Sequence, residues 1–444
     1  MASIRDPTAE TTRSVMKSLL LLCFALAPLR ADDGATSPEP ADEARISYEG
    51  AQLLKVTAPS EEKEVALRTL QDMEGVDTWL RLATNSSTVD VMVRPENADK
   101  VKEFLDGSGL TFDVIIDNLQ AAIDTENPTM TTDEMEELEG RKGHRMTWQS
   151  YHRLADIYGY LDYLAQTYPQ LVTIQTIGNS IEGRPLKVLK ISSGRPGSPA
   201  IWIDGGIHAR EWIAPASVTY IINELIENRD AHGESVKDVD WYILPVVNPD
   251  GYEYSHRIDR LWRKNRRGSG YCAGIDLNRN FGYKWGGAGS SREPCKEIFA
   301  GSSAFSEPET AALSKFVSSH TGTLKAYVTF HSYGQYILHP WGYAVGYPHD
   351  HADLSRVGQK IASAMYQAGG ASYKVGGAAA TLYPASGGSD DWAKGAAGIK
   401  YSYTIELRDR GYFGFILPVQ YIIPTGRESL AAVKVLADEI ANGR

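Results

Sequence analysis

Between residues 200 and 226 the chain passes from an apolar strand pattern, "AIWID", through the turn "GGIHAREWIAPAS", into Val218, Ile221, Ile222, Leu225 and Ile226. The last five have the i, i+3, i+4 spacing of a buried helix face. From residue 146 onward, strands alternate in this way with amphipathic helices. This predicts an α/β domain with a mixed, largely parallel sheet covered by helices. A strand-to-helix turn ordinarily carries Gly and small polar residues, whereas this one also carries His208, Arg210 and Glu211.

The other strands end in the same kind of chemistry. "WYILPVV" runs into Asn248-Pro249-Asp250-Gly251, a strong turn signal. "KAYVTF" ends at His331 and "YSYTI" at Glu406. Ligands of open α/β sheets bind at the carboxyl ends of the strands, so three separate strands deliver His, Glu, His and Glu towards one edge. Two imidazoles and one carboxylate, with a position left for water, make a catalytic zinc site. His208 and Glu211 reach one ion from a single turn, and His331 completes the set. One Zn2+ per chain is expected. Bound zinc lowers the pKa of water from about 15.7 to about 7. A separate carboxylate must still accept the proton, and Glu406 is the candidate. The motif H-E-x-x-H is absent, which excludes that class of metalloprotease site.

The preceding residues read as processing signals and a small module. Met16 and Lys17 precede "SLLLLCFALAPL", so residues 16–31 are expected to be a secretory signal peptide, and the protein to be secreted; a buried amino-terminal helix is the alternative. Cleavage removes Cys23 and leaves Cys272 and Cys295. An even count in an exported chain predicts one disulfide, worth roughly 3 kcal/mol for a loop of that length. Asn85-Ser86-Ser87 is a glycosylation sequon. Residues 45–125 carry a β-α-β-β-α-β pattern that predicts an α+β ferredoxin-like sandwich without a catalytic constellation. Residues 126–145 form a connector. Its first fourteen positions hold six carboxylates and no Lys or Arg, and then come Arg141, Lys142 and Arg145. Such a run is either a solvated linker or a protease-sensitive activation site. The net charge of −11 argues against a general nucleic-acid binder, and no apolar run outside the leader is long enough to span a membrane.

Taken together, "HAREW", "LWRKNR", "DLNRNF", "FHSYGQ", "YPASGGSDDW" and "IELRDRGYFGF" resemble the zinc metallocarboxypeptidases of the pancreatic A/B type. The resemblance covers residues 146–444, and the amino-terminal sandwich is similar to that family's activation segment. It implies a zymogen that removes the carboxyl-terminal residue from peptides and proteins. His208, Glu211 and His331 would hold zinc, and Glu406 would be the general base. Arg263 would polarise the scissile carbonyl and stabilise the oxyanion. Asn278 and Arg279 would grip the terminal carboxylate, a task that suits the planar Arg fork. Tyr383 would close over the bound end, Arg210 and Tyr333 would line the neighbouring subsite, and Asp276 would orient His208. Asp390 corresponds to the floor of the specificity pocket, where an Asp goes with Lys and Arg ends (B-type) and an apolar residue with aromatic and aliphatic ends (A-type). Gly342 and Ala378 depart from the B-type pattern. A trypsin-like activating protease and a monomer are expected, with the sandwich acting either as an inhibitory prosegment or as a folding aid. No G-x-S-x-G elbow supports a serine hydrolase; a deacylase of small amides and an inactive binding protein are the remaining alternatives.

Overall fold

The computed structural model describes residues 44–443, apart from residues 61–62, 82–86, 133–134, 137, 139–142 and 271. The expected signal peptide, Cys23, Asn85 of the sequon, Arg141 and Lys142 lie outside the described residues.

The amino-terminal sheet is built from β1 (Gln52–Ala58), β2 (Val76–Arg81), β3 (Ser87–Val93) and β4 (Thr111–Ile116), in the antiparallel order β2-β3-β1-β4. Helices α1 (Glu64–Gln71) and α2 (Ala98–Ser108) complete the β-α-β-β-α-β sandwich. Its core takes Leu54 and Val56 from β1, Leu67 and Leu70 from α1, and Val101 and Leu105 from α2. Beyond β4 a third helix, α3 (Leu119–Glu126), was not foreseen. Asn118 caps it, its side chain accepting from the Gln120 and Ala121 amides. The connector therefore does not begin as a solvated linker at Glu126, a side chain that is 1 % exposed.

The second sheet has eight strands: β5 (Val172–Asn179), β6 (Pro185–Ile191), β7 (Ala200–Gly205), β8 (Asp240–Leu244), β9 (Leu324–His331), β10 (Tyr336–His339), β11 (Lys374–Gly377) and β12 (Tyr401–Glu406). The order is β11-β10-β12-β9-β7-β8-β6-β5. The centre, β12-β9-β7-β8, is parallel, while β10 pairs antiparallel with β12 and β6 antiparallel with both β5 and β8. The mixed, largely parallel expectation is met.

Alternation along the strands explains the layers. Ile201, Ile203, Val328, Phe330, Tyr403 and Ile405 face one core, with α4 (Leu154–Thr167), α5 (Ile213–Glu227), α9 (His351–Gly369) and α12 (Ile422–Ala441). All five predicted apolar positions of α5 lie there, and each fully buried Ile or Leu contributes about 1.5–3 kcal/mol. Trp202 and Tyr327 face the other core, with α8 (Pro308–Ser319) and α11 (Ser389–Gly395), and Leu324 joins them where the β7–β9 register shifts. Pro215 sits in the first turn of α5, where no amide needs an intrahelical partner. The Asn248-Pro249 signal starts a helix and not a simple turn. Asn248 caps α7 (Pro249–Arg257), accepting from the Gly251 amide at 2.9 Å, and Pro249 occupies its first position. Between α6 (Glu234–Lys237) and α7, β8 takes the interior place between β7 and β6.

Cys272 and Cys295 are disulfide-bonded, closing the segment that carries Asp276, Asn278 and Arg279. Helix α10 (Ala378–Thr381) and α11 frame the far side of the cleft at the strand ends.

Candidate active site

Gly206 has φ +64°, and a Cβ there would meet Pro215 Cγ at 2.8 Å, so glycine lets β7 turn tightly into α5. That turn brings His208 and Glu211 to the end of β7, opposite His331 at the end of β9. His208 Nδ1 lies 2.7 Å from Glu211 Oε1, His331 Nδ1 lies 3.0 Å from Glu211 Oε2, and the two Nδ1 atoms are 3.2 Å apart. All three side chains are buried, and their ligand atoms fall within 4.8 Å of one another. Two imidazole nitrogens and a carboxylate facing each other this closely form a cradle for a cation. Burial and the Arg263 charge lower the His208 pKa, which keeps its ring neutral. Burial alone would raise the Glu211 carboxyl, but His208 and His331 pull it far down. Burial lowers the His331 pKa, but the Glu211 charge and hydrogen bond outweigh it and raise it to about 9, so that ring carries a proton at neutral pH. A charged carboxylate and neutral imidazoles are the donor forms zinc requires, so the His331 proton must leave when the metal binds.

Asp276 organises one side of this cradle. Its Oδ1 lies 3.1 Å from His208 Nε2 and accepts from the Asn278 amide at 3.0 Å, and its Oδ2 accepts from Arg263 Nη2 at 2.9 Å. One carboxylate thus holds the His208 ring with Nδ1 inward and aims the Arg263 guanidinium, whose Nη1 is 4.0 Å from Glu211 Oε1. Arg279 is oriented by backbone oxygens, donating to Gly289 O at 2.8 Å and to Asn278 O at 2.9 Å. The Asn278 side chain accepts from the Ser389 amide at 2.9 Å. Tyr383, Glu406 and Asp390 line the same cleft. Burial first, and then the Glu211 charge against the pull of His331, pushes the Glu406 carboxyl up to about 7. The predicted metal, catalytic and substrate-binding residues all line this cleft except Arg210, which is buried.

The family profile described as zinc carboxypeptidase matches residues 157–432, and the one described as carboxypeptidase activation peptide matches residues 54–126. The chain belongs to the zinc carboxypeptidase family. Carboxypeptidase B of Astacus astacus is 46 % identical over 296 residues, covering 66 % of this chain and 98 % of that protein. Zinc carboxypeptidase A 1 of Anopheles gambiae is 38 % identical, covering 91 % of this chain and 92 % of that protein. The crystal structure of carboxypeptidase A from Helicoverpa armigera is similar with a TM-score of 0.80 at 31 % identity, covering 89 % of this chain and all but 2 % of that one (98 %). This carboxypeptidase is accordingly a zinc-dependent hydrolase of the exopeptidase class with an activation peptide. Zinc, when bound, supplies Lewis acidity and acidifies water.

The activation peptide covers the cleft, through residues that the sequence reading did not single out. Asp77 Oδ2 accepts from Arg210 Nη1 at 2.7 Å and from Trp79 Nε1 at 3.1 Å. The Trp79 ring lies 5.0 Å from Phe415 and 6.5 Å from Tyr333, and the Arg210 guanidinium sits 4.2 Å over Phe415. Tyr333, 2 % exposed, donates its hydroxyl to Asp90 Oδ2 at 2.9 Å. Asp77 and Trp79 meet beside a register shift of β2 on β3 between Thr78 and Leu80, which the sequence pattern does not show. Asp391, also passed over, accepts from the Gly342 amide at 2.8 Å and the Tyr343 amide at 2.8 Å. A Cβ on Gly342 would make only ordinary contacts at 3.5–3.6 Å, so glycine leaves the pocket wider at that wall.

Proposed function

We propose that this carboxypeptidase is secreted as a monomeric zymogen, is activated by a trypsin-like cut between Arg141 and Arg145, and then removes Lys and Arg from peptide carboxyl termini. The domain boundaries of this reading are a signal at 16–31, a prosegment at 45–125, a connector at 126–145 and a catalytic domain at 146–444. The observation that carries the substrate preference is Asp390, 6 % exposed in the cleft and without an ion-pair partner among the described residues. A basic substrate side chain relieves the cost of that buried carboxylate, whereas an aromatic ring against it does not.

In this reading His208, Glu211 and His331 are the zinc ligands. Arg279 and Asn278 bind the terminal carboxylate and so set the distance from the chain end to the scissile bond. Arg263 donates to the scissile carbonyl oxygen as negative charge builds on it. Glu406, with its carboxyl raised into the neutral range, takes a proton from the attacking water and delivers it to the amine as the C–N bond breaks. Tyr383 closes over the bound end, and Arg210 and Tyr333 contact the residue before the scissile bond. Both of these are engaged by Asp77 and Asp90 in the zymogen, which supports an inhibitory prosegment over a mere folding aid.

The test uses trypsin-treated protein and blocked dipeptides ending in Arg, Lys, Phe or Leu, each with a free and an amidated terminus. Arg and Lys ends should be hydrolysed fastest, amidation should remove nearly all turnover, and chelation should abolish it. Equal hydrolysis of amidated and free peptides would reject the carboxylate grip, and a Phe or Leu preference would reject the role of Asp390.

A further inference from the structure

Next to the catalytic cleft, with Leu80 on the wall between them, the activation peptide and the catalytic domain form a second cavity of about 290 Å3. Lys55, Leu80 and Asp90 line it from the activation peptide, and Tyr336, Lys374 and Arg410 from the catalytic side. Three cations therefore border it against one carboxylate, in a chain whose net charge is −11.

That carboxylate is already committed. Asp90 Oδ1 is 3.2 Å from Lys55 Nζ, and its Oδ2 accepts the Tyr333 hydroxyl. A Cβ on Gly411 would fall 2.4 Å from the same Oδ2, so the wall closes tightly behind Asp90. Arg410 donates Nη2 to the Ser372 carbonyl at 2.6 Å, and no carboxylate reaches it among the described residues. The Lys374 side chain has no hydrogen-bond or ion-pair partner among the described residues, while its amide donates to Gln335 O at 2.9 Å, holding that strand end at the cavity. Lys374 and Arg410 are both exposed, so the cavity opens to solvent on their side. Lys55 is matched by Asp90 and also donates to the Arg410 carbonyl at 3.5 Å, so Lys374 and Arg410 are the two charges at the hollow that no carboxylate matches among the described residues. An anion between them relieves their repulsion.

We propose that this cavity is a binding site for a sugar-sized phosphate or sulfate ester, which bridges Lys374 and Arg410 of the catalytic side to Lys55 of the activation peptide. A tetrahedral ester group offers three free oxygens, one more than a carboxylate, and so receives all three donors at once. The volume is at the lower edge of the range for small-molecule sites, about 300–1,000 Å3. Leu80 and Tyr336 supply the apolar wall for the body of the ligand. Because Lys55, Leu80 and Asp90 leave with the activation peptide, the site exists only while that segment is docked, and its occupant slows undocking by mass action.

The test is calorimetric titration of the full-length zymogen at constant ionic strength with glucose 6-phosphate, glucose 6-sulfate, inorganic phosphate and inorganic sulfate. At least one ester should bind saturably with a Kd of about 1 mM or tighter, and the tighter of the two identifies which ester the site prefers. The double variant Lys374→Gln/Arg410→Gln, whose two positions are solvent-exposed, should bind it at least tenfold more weakly with an unchanged Tm. Enzyme freed of its activation peptide should be equally weak. No saturable heat with any probe, or double-variant affinity within twofold of wild type, would overturn the site. Equal affinity for ester and inorganic ion would overturn recognition of the sugar body, and binding that leaves the rate of activation by trypsin unchanged would overturn the bridging role.

Discussion

Removing one carboxylate, in Glu126→Ala, should loosen the activation peptide without touching the catalytic cleft. Glu126 ends α3 and meets Arg260 in a bidentate pair, at 2.7 Å to Nε and 2.6 Å to Nη2, with both side chains 1 % exposed. Burial raises the Glu126 carboxyl and the Arg260 charge opposes it. Arg260 cannot swing out to water when its partner is lost. It also donates to the carbonyls of Arg210 and Phe415, both at 2.8 Å, and lies 3.7 Å over the Trp212 ring. Breaking a buried pair by removing one partner costs about 3–5 kcal/mol. Water entering the space left by the shorter side chain offsets part of that, so the lower bound of about 3 kcal/mol applies, or about two decades in the affinity of the docked segment. Glu126 lies upstream of Arg145, so a cut in the connector leaves the pair intact and activity should lag behind cleavage. The assay follows both after a trypsin pulse, cleavage on denaturing gels and turnover with an Arg-ended blocked dipeptide. Since affinity changes between related complexes fall mostly on dissociation, the lag should shorten by about two decades in Glu126→Ala and by less in Glu126→Gln, which keeps the shape. A lag in Glu126→Ala within twofold of wild type would refute the reasoning.

Three further outcomes are expected. Glu406→Gln should lower kcat by about 10²- to 10⁴-fold with zinc content unchanged by atomic absorption; retention of more than a tenth of wild-type kcat removes Glu406 from the role of base. Asp390→Ile should move the kcat/KM preference from Arg and Lys ends towards Leu and Phe, and an unchanged ratio contradicts the pocket assignment. The third is pH dependence. Burial and the Asp390 charge push the Asp391 carboxyl up to about 8, burial raises Asp390 as well, and so the pair shares one proton into the neutral range. The backbone amides on Asp391 favour its ionised form, leaving that proton on Asp390. A cationic substrate needs Asp390 charged, so the ratio of kcat/KM for Arg over Leu ends should rise with pH as the pair gives up its shared proton. A ratio flat from pH 6 to 9 would sink this account.

The catalytic constellation was largely legible because each part sits where a local pattern changes. The apolar runs before His208, His331 and Glu406 alternate onto two cores, and a polar residue at the end of such a run has only the sheet edge to occupy. Cys272 and Cys295 were readable as a pair once the leader with Cys23 was set aside. The misreadings were of another kind. Glu126 stands in an acidic run and looked solvated; its partner is 134 residues away. Asn248-Pro249 looked like a turn, because cap and turn use the same residues for the same reason, a side-chain oxygen that accepts a nearby amide.

The sequence by itself determined most of the elements, α3 and the helix after Asn248 apart. It also determined the α/β architecture of the large sheet, the sandwich before it and the residues at the strand ends, since periodicity and strand-end chemistry act over a few neighbouring positions. Only the tertiary structure decided which charges are neutralised and by whom. Arg210 faces Asp77, Arg260 faces Glu126 and Asp90 faces Lys55 and Tyr333, while Asp390 has no ion-pair partner among the described residues and feels only the more distant His331 charge. These pairings join segments far apart along the chain, and a charge's energy depends on the distance and burial of its partner, which sequence spacing does not encode.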